Sequence, residues 1–220
     1  MSVNVEKYKE IAAELDKQHV ILVAVSKIKP NSDIQALYDL GQRDFGENYV
    51  QELVEKQAAL PKDIRWHYIG HLQSNKVKYI APFVHLIHGV DSFKLLKEIN
   101  KQAAKCNRVI DCLLQVHIAQ EETKFGMDEA EISEVKAGID ELANVRVCGL
   151  MGMASFSDDD LKVRGEFKQL HALYERFRPW TMDNGPWTIL SMGMSGDYRM
   201  AIEEGSTMVR IGSLLFGARI

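Results

Sequence analysis

The sequence has few of the features that mark secreted, membrane-spanning or nucleic-acid-binding chains. It has three cysteines and none of them forms a C-x-x-C pair, which argues against a disulfide framework or a zinc site. Its 27 basic and 31 acidic residues are interspersed, so the clustered basic face of a nucleic-acid binder is missing. No apolar run approaches the ~20 residues of a membrane helix, and the first residues lack the apolar segment of a signal peptide. We therefore expect a cytoplasmic protein that binds neither membranes nor nucleic acids.

The sequence does contain a regular alternation of short apolar runs and longer amphipathic segments. Residues 20–27 (VILVAVSK) are rich in β-branched side chains and predict a strand covered on both faces. The same reading predicts strands at 20–27, 44–48, 65–70, 85–90, 109–119, 145–153, 188–193 and 208–217. Helices are predicted at 3–17, 34–40, 49–60, 74–81, 92–105, 128–142, 158–177 and 197–204.

Eight strands that alternate with helices predict an α/β fold with a parallel sheet and helices outside it. With a spare helix at the front, they predict a closed (β/α)8 TIM barrel formed by residues 1–220 as one domain. The alternative is an open doubly wound sheet. Such sheets usually have fewer strands and end in a helix, whereas the last strand predicted here ends at residue 217 of 220.

Lys27 is the first candidate for chemistry, because active sites of such barrels lie at the C-terminal ends of the strands. It follows the first apolar run without a break, which predicts an amine at the barrel mouth. Partial loss of water there favours the neutral, nucleophilic amine that forms an imine with a carbonyl compound. The alternative is a solvated surface lysine.

Two segments rich in glycine and serine lie near the ends of the last two predicted strands. The one at the end of the seventh strand contains Ser191 and Ser195, and the one after the first half of the eighth strand contains Gly212 and Ser213. Small residues let backbone amides approach an anion, and barrels often build a phosphate site from these two loops. The alternative is that the glycines only turn the chain and the serines only cap helices. Together with Lys27, the loops predict a ligand that is a phosphorylated carbonyl compound.

Arg210 lies inside an apolar strand, where an arginine without a partner would be costly. If it points inward, it can face a bound ring. Because arginine resists losing its proton, it would leave a ring nitrogen unprotonated and make the ring a weaker electron sink. If it points outward, it pairs with a helix. Asn48 ends the second predicted strand and can hydrogen-bond a ring substituent.

Four stretches of the chain carry a resemblance to a known family: VAVSKIKP, FGENYVQE, WHYIGHLQSNK and LSMGMSGDYRMAIEEGSTMVRIGSLLFGAR. They resemble the pyridoxal phosphate homeostasis protein family, over residues 20–219. That family is similar to the N-terminal barrel of bacterial alanine racemase, the fold type III class of enzymes that use pyridoxal 5′-phosphate (PLP). The resemblance implies a PLP-binding protein that stores or delivers PLP inside the cell, with little or no catalysis of its own.

The same resemblance implies a role for each candidate residue. Lys27 matches the lysine that holds PLP as an internal aldimine, a Schiff base. Arg210 matches the arginine that faces the ring nitrogen, and Asn48 matches a residue of the pocket lining. The phosphate would be held by Ser191, Ser195, Gly212 and Ser213. PLP-dependent enzymes that lack their cofactor are the expected protein partners.

Two other functions stay open at this point. A racemase or lyase on the same barrel is one, but racemization needs a second base, which alanine racemases take from a second domain. No residues remain for such a domain after residue 217, so we expect negligible racemase activity and a monomer. A Schiff-base aldolase without a cofactor is the other, and it would be colourless where a PLP protein is yellow.

Overall fold

The computed structural model describes residues 3–119, 126–179 and 187–217 and contains a closed barrel of parallel strands. The strands pair in chain order, and the last strand closes against the first. The predicted barrel is therefore confirmed, and the open sheet is excluded. The eight strands are β1 Ile21–Val25, β2 Asp44–Glu47, β3 Arg65–Tyr68, β4 Leu86–Val90, β5 Ile110–Gln115, β6 Val145–Met151, β7 Ile189–Ser191 and β8 Met208–Ile211.

Helices precede, separate and follow these strands. Within the described ranges, none of them combines the length and the apolar composition that crossing a membrane requires. The extra N-terminal helix is present. The α-helices are α1 Val5–Lys17, α2 Asn31–Asp39, α3 Val50–Ala59, α4 Val77–Ile80, α5 Phe93–Lys105, α6 Glu129–Gly138, α7 Asp160–Phe177, α8 Tyr198–Glu203 and α9 Ser213–Phe216.

Polar side chains at the N-termini of several helices explain where those helices begin. The Asn4 side chain accepts a hydrogen bond from the first turn of α1, and Ser92 does the same for α5. Asp128 and Glu131 form a reciprocal capping box at the start of α6. Each cap satisfies an amide that has no acceptor within the helix, and replacing such a cap by alanine typically costs about 1 kcal/mol.

The apolar residues form two separate layers, because successive side chains of a strand point to opposite faces. Leu22 and Ala24 of β1 belong to the large cluster between the strands and the helices. Val23, between them, belongs to a smaller cluster that fills the barrel interior together with Leu86, Leu113, Met151 and Met208. Buried polar side chains, among them His67, His88, Ser191 and Arg210, also lie within the barrel.

The last predicted strand, 208–217, was too long. Strand β8 ends at Ile211, and α9 begins at Ser213. An apolar run of this length does not distinguish a strand from a buried helix, and Gly212 separates the two. The barrel was preferred because the chain was expected to end in a strand rather than a helix. That reason was wrong, although the barrel itself is present.

The chain after β1 also differs from the prediction. Strand β1 ends at Val25, so Lys27 lies in the turn that follows rather than in the strand. The turn is tight, because the Lys29 amide donates to the Ser26 carbonyl oxygen, and Ile28 has a left-handed backbone with φ 59°. A β-branched residue rarely adopts this conformation, which costs on the order of 1–3 kcal/mol.

Candidate functional site

A cavity of about 460 Å³ opens at the C-terminal ends of the strands. It lies where barrels of this type carry their chemistry. Six of the seven residues singled out in the sequence line it: Lys27, Asn48, Ser195, Arg210, Gly212 and Ser213. The closed barrel therefore brings together residues that are up to 186 positions apart in the chain.

Lys27 is half-buried at the cavity wall, two residues beyond β1. The backbone on either side of it is held by side chains of α3. The Lys56 ammonium donates to the Ser26 carbonyl oxygen at 2.7 Å, and the Ile28 amide donates to Glu52 Oε1 at 2.6 Å. Both contacts fix the direction in which the Lys27 side chain leaves the turn.

The contacts from α3 belong to a buried ionic network that the sequence analysis did not identify. Lys56 also bonds Glu47 Oε1 at 2.8 Å and Glu52 Oε1 at 2.6 Å, and the Ser26 hydroxyl donates to Glu47 Oε1 at 2.5 Å. Burial raises the pKa of Glu47, and the nearby Lys56 opposes that rise. An acidic residue inside the FGEN strand was the available signal, because a buried carboxylate needs a partner.

Asn48 contributes an unused acceptor to the cavity. Among the described residues, its side-chain oxygen Oδ1 is buried and takes part in no hydrogen bond. The Asn48 backbone is fixed, because the Tyr68 hydroxyl donates to its carbonyl oxygen at 2.9 Å. A buried amide oxygen without a donor costs about 1–3 kcal/mol. This oxygen is therefore suited to a ligand that brings a hydroxyl or N–H group.

Arg210 points into the barrel, as one of the two alternatives predicted. Its guanidinium is buried, lines the floor of the cavity and donates to the carbonyl oxygens of Ser191 and Gly152 at 2.9 and 3.0 Å. Burial lowers the pKa of Arg210 to about 10, so the side chain keeps its positive charge at neutral pH. The interior thus presents a fixed cation and donor to whatever fills the cavity.

The two small-residue loops meet on one side of the cavity. The Gly212 amide donates to the Ser195 hydroxyl oxygen at 3.2 Å, which ties the two loops together. Gly212 lies close to β1, and a Cβ placed on it would be 3.3 Å from the Val25 carbonyl oxygen. In the first loop the Met194 amide is held by Asp197 Oδ1. The wall therefore combines small residues and main chain, which suit an anion, with the side chains of Met194 and Asp197.

Ser191 is the one predicted residue that the structure places elsewhere. It is fully buried in β7 and is absent from the cavity lining. Its hydroxyl oxygen accepts from Arg210 Nη1 at 2.7 Å and lies 3.1 Å from His88 Nδ1. The strand alternation explains this, because β7 ends at Ser191 and the loop that reaches the cavity begins after it.

One group of potential metal ligands occurs among the described residues, at the opposite end of the barrel. Ligand atoms of Asp44, His67 and His85 lie within 4.8 Å of one another. The Asp44 carboxylate is already chelated by Arg65, at 2.7 and 2.5 Å, and is bonded to His67 Nε2 at 2.9 Å. We assign no ion to this group, because the ligand atoms of Asp44 and His67 are already engaged by neighbouring side chains.

Known proteins with the same domain show which class of barrel this is. The family model described as the alanine racemase N-terminal domain matches residues 3–220. The structure of alanine racemase from Bartonella henselae, which carries covalently bound pyridoxal phosphate, has a TM-score of 0.69 and 16% identity. It covers 96% of this chain and 59% of that chain, and it supports the fold alone. The protein is therefore a barrel of the alanine racemase N-terminal type.

The more similar relatives narrow the class. The pyridoxal phosphate homeostasis protein of Aquifex aeolicus is 43% identical over 199 residues, which are 90% of this chain and 86% of the relative. PipY of Synechococcus elongatus, solved with PLP bound, has a TM-score of 0.84 and 36% identity, over 94% of this chain and 99% of PipY. The chain belongs to the pyridoxal phosphate homeostasis protein family.

Proposed function

We propose that this protein binds PLP in the cavity at the barrel mouth, attached covalently through Lys27, and that it serves PLP homeostasis by storing and delivering the cofactor. The observation that carries the proposal is the convergence of the Lys27 amine, the buried Arg210 cation and a wall rich in glycine and serine in one cavity of about 460 Å³. The relatives' names and the PLP in PipY support it.

The residues present fit PLP chemically. PLP supplies an aldehyde that a lysine amine can bind covalently, a ring hydroxyl, a ring nitrogen and a phosphate. Lys27 offers the amine, and the unused Asn48 oxygen offers an acceptor to the hydroxyl. Arg210 offers a donor to the ring nitrogen, so that nitrogen would stay unprotonated.

The phosphate would lie against the wall where the two loops meet. Ser195, Gly212 and Ser213 line this wall, and together they offer two hydroxyls and main-chain amides. The Gly212 amide, which donates to the Ser195 hydroxyl oxygen, would exchange that acceptor for a phosphate oxygen. Ser191 would act on the cofactor only through Arg210, because its hydroxyl oxygen already accepts from that guanidinium. This assignment revises the direct phosphate contact that the resemblance implied for Ser191.

Absorbance of the purified protein mixed with PLP tests the proposal. We expect the wild type to turn yellow and to keep the cofactor on Lys27 after borohydride reduction, which peptide mass spectrometry reads directly. Lys27→Ala should remain colourless after gel filtration. Lys29→Met is the matched control, since Lys29 also lines the cavity but its ammonium is held by the Phe216 carbonyl oxygen at 2.8 Å. Equal retention of PLP by Lys27→Ala would overturn the proposal.

Little catalysis is expected from this site. Racemization requires bases on both faces of the bound substrate, and Lys27 can supply one. The described residues that line the cavity include no tyrosine or histidine to supply the other, and the side chains of Lys29 and Asp197 are held by the main chain of Phe216 and Met194. Turnover of L-alanine to D-alanine by the pure protein, abolished in Lys27→Ala, would contradict this expectation.

The proposal also covers location and assembly. Cys106, Cys112 and Cys148 are free thiols, the state that the reducing cytoplasm maintains. We place the protein there as a monomer that hands PLP to enzymes lacking it. Sedimentation measures the assembly state, and a stable dimer at micromolar concentration would contradict the monomer.

A further inference from the structure

A continuous line of buried polar side chains runs through the barrel interior, from the cavity to the opposite end. Arg210 Nη1 bonds Ser191 Oγ at 2.7 Å, and Ser191 Oγ lies 3.1 Å from His88 Nδ1. His88 Nε2 lies 2.9 Å from His67 Nδ1, and His67 Nε2 lies 2.9 Å from Asp44 Oδ1. The line joins β8 and β7 to β4, β3 and β2, so it crosses the barrel.

The two ends of this line fix the direction of its hydrogen bonds. An arginine only donates, and an ionised aspartate only accepts. Hydrogen bonds from His67 and Arg65 outweigh the effect of burial and hold the pKa of Asp44 at about 2, so it is ionised at neutral pH. Burial holds the pKa of His88 well below its usual range, so that ring is neutral and carries one proton.

Only one arrangement of protons satisfies every member with neutral rings. Arg210 donates to the Ser191 oxygen, and the Ser191 hydroxyl donates to His88 Nδ1. His88 then donates from Nε2 to His67 Nδ1, and His67 donates from Nε2 to Asp44. In the reversed arrangement the unprotonated His67 Nε2 would face the ionised Asp44 carboxylate, so two acceptors would lie 2.9 Å apart with no proton between them.

We propose that Ser191, His88 and His67 form a one-way hydrogen-bond relay, anchored at Asp44, that positions the Arg210 guanidinium beneath the cofactor. This inference rests on the proposed function, since it gives Arg210 a bound ring to face. The relay members touch no cofactor and are positioning residues. Their combined effect is to hold the Ser191 oxygen as an acceptor for Arg210, which fixes the guanidinium plane.

The proton positions can be measured without any cofactor. In the ¹⁵N-labelled, PLP-free protein, two-bond ¹⁵N–¹H correlations show which ring nitrogen of each histidine carries the proton. We expect the Nε2–H form for both His67 and His88. An Nδ1–H form of either ring, or a doubly protonated His67, would overturn the relay. The wild-type protein suffices, so the test stands even where a variant fails to fold.

A second experiment reads the effect on the cofactor. His88→Ala should weaken PLP binding about 3- to 10-fold, the effect of losing one net hydrogen bond, and should shift the absorbance maximum of the bound cofactor. His88→Gln keeps a donor toward His67 and should recover most of the affinity and the original spectrum. His85→Asn is the control, because the His85 ring lies 5.4 Å from that of His67 but is no member of the relay.

The outcomes separate the two proposals. Failure of wild-type protein to bind PLP would contradict the proposed function, whereas the proton positions of the histidines are read in its absence. PLP affinity and an absorbance maximum in folded His88→Ala equal to those of the wild type would contradict the positioning role. An equal loss of PLP affinity and an equal spectral shift in His85→Asn would also contradict it. They would show that any substitution near His67 disturbs the barrel, whether or not the residue belongs to the relay.

Discussion

At the scale of single residues, Asp44 shows how neighbouring donors keep a mostly buried carboxylate ionised. Its carboxylate is nearly buried, chelated by Arg65 and bonded to His67. Burial alone would raise the pKa of Asp44, but these two partners hold it at about 2 instead of 3.8. Because the folded-state pKa is lowered, the ionised group stabilises the fold above the unfolded pKa.

This stabilisation should disappear as the pH falls through the folded pKa of Asp44. A shift from 3.8 to about 2 corresponds to roughly 2 kcal/mol. We therefore expect the difference in unfolding free energy between wild type and Asp44→Asn to shrink by about 2 kcal/mol from about pH 5 to about pH 2. Urea unfolding at a series of pH values measures it, and a constant difference would contradict the assignment.

Six of the seven residues singled out in the sequence line the cavity, but the sequence did not reveal the polar interior of the barrel. Lys27 and Arg210 were found because a polar residue at the end of an apolar strand, or inside one, needs an explanation. His88 and Ser191 are 103 positions apart in the chain, and their contact exists only because the barrel closes. The available signal was a histidine inside each of two neighbouring buried strands, which does not reveal its partner.

At the scale of elements, α3 and the turn after β1 act as one unit. The ammonium of Lys56 joins Glu47 of β2, Glu52 of α3 and the Ser26 carbonyl oxygen that precedes Lys27. Its side chain is 6% exposed, and that of Glu47 is fully buried. Removing the ammonium would leave the buried Glu47 carboxylate and the partly exposed Glu52 carboxylate without this counter-charge.

We therefore expect Lys56→Met to lower the unfolding free energy by about 3–5 kcal/mol, the cost of breaking a buried ion pair. PLP retention should fall with it, because the turn that carries Lys27 loses its support. Adding Glu47→Gln should recover part of the stability, since that buried group is then neutral. Lys62→Met is an exposed control, expected to change the free energy by less than about 0.5 kcal/mol.

Strand β6 contains a bend that depends on glycine. Gly149 has φ +152°, and a Cβ there would lie 1.8 Å from the Ile189 carbonyl oxygen of β7. The pairing of β5 with β6 shifts register just before it. Both features indicate a bulge that only glycine can occupy.

Gly149→Ala should therefore destabilise the protein by about 2–4 kcal/mol, through backbone strain and the separation of β6 from β7. Gly165→Ala is the matched control. A Cβ on Gly165 meets nothing within 4 Å in the middle of α7, so alanine should stabilise the helix by about 0.5–1 kcal/mol. Thermal unfolding of both variants checks the prediction, and equal effects would contradict it.

The alternation of elements predicted the barrel, while the ends of elements were less predictable. Residues 214–216 are apolar and follow β8, so a strand and a short helix gave the same pattern. Gly212 was recognised as a loop residue, but the pattern did not show that a helix begins at the next residue. Local periodicity determines the type of a long element, whereas tertiary contacts decide where a short one starts.

At the scale of the whole molecule, the cavity opens directly at the barrel mouth, and exposed apolar side chains border it. Phe156 is fully exposed, and Ile28 and Met194 are partly exposed. A ligand held there reaches solvent without unfolding the barrel. This openness favours exchange of PLP over permanent retention.

We expect the PLP-loaded protein to activate a PLP-dependent enzyme that lacks its cofactor. The measurement compares the rate of activation with the rate at which the same protein releases PLP to a small-molecule trap. Direct delivery requires activation faster than release. If activation is only as fast as release to the trap, the protein stores PLP but does not deliver it directly. Activation by Lys27→Ala at the wild-type rate would show that free PLP is responsible.

The left-handed backbone of Ile28 has a consequence for how this chain would respond to laboratory evolution. Glycine adopts that conformation without steric cost, whereas for isoleucine the backbone strain costs on the order of 1–3 kcal/mol of folding free energy. A library of all amino acids at position 28, selected for heat resistance alone, would be expected to become enriched in glycine. The enriched variants would melt at a higher temperature but would lose part of the apolar border beside the reactive amine. One substitution would therefore improve thermal stability and impair ligand binding.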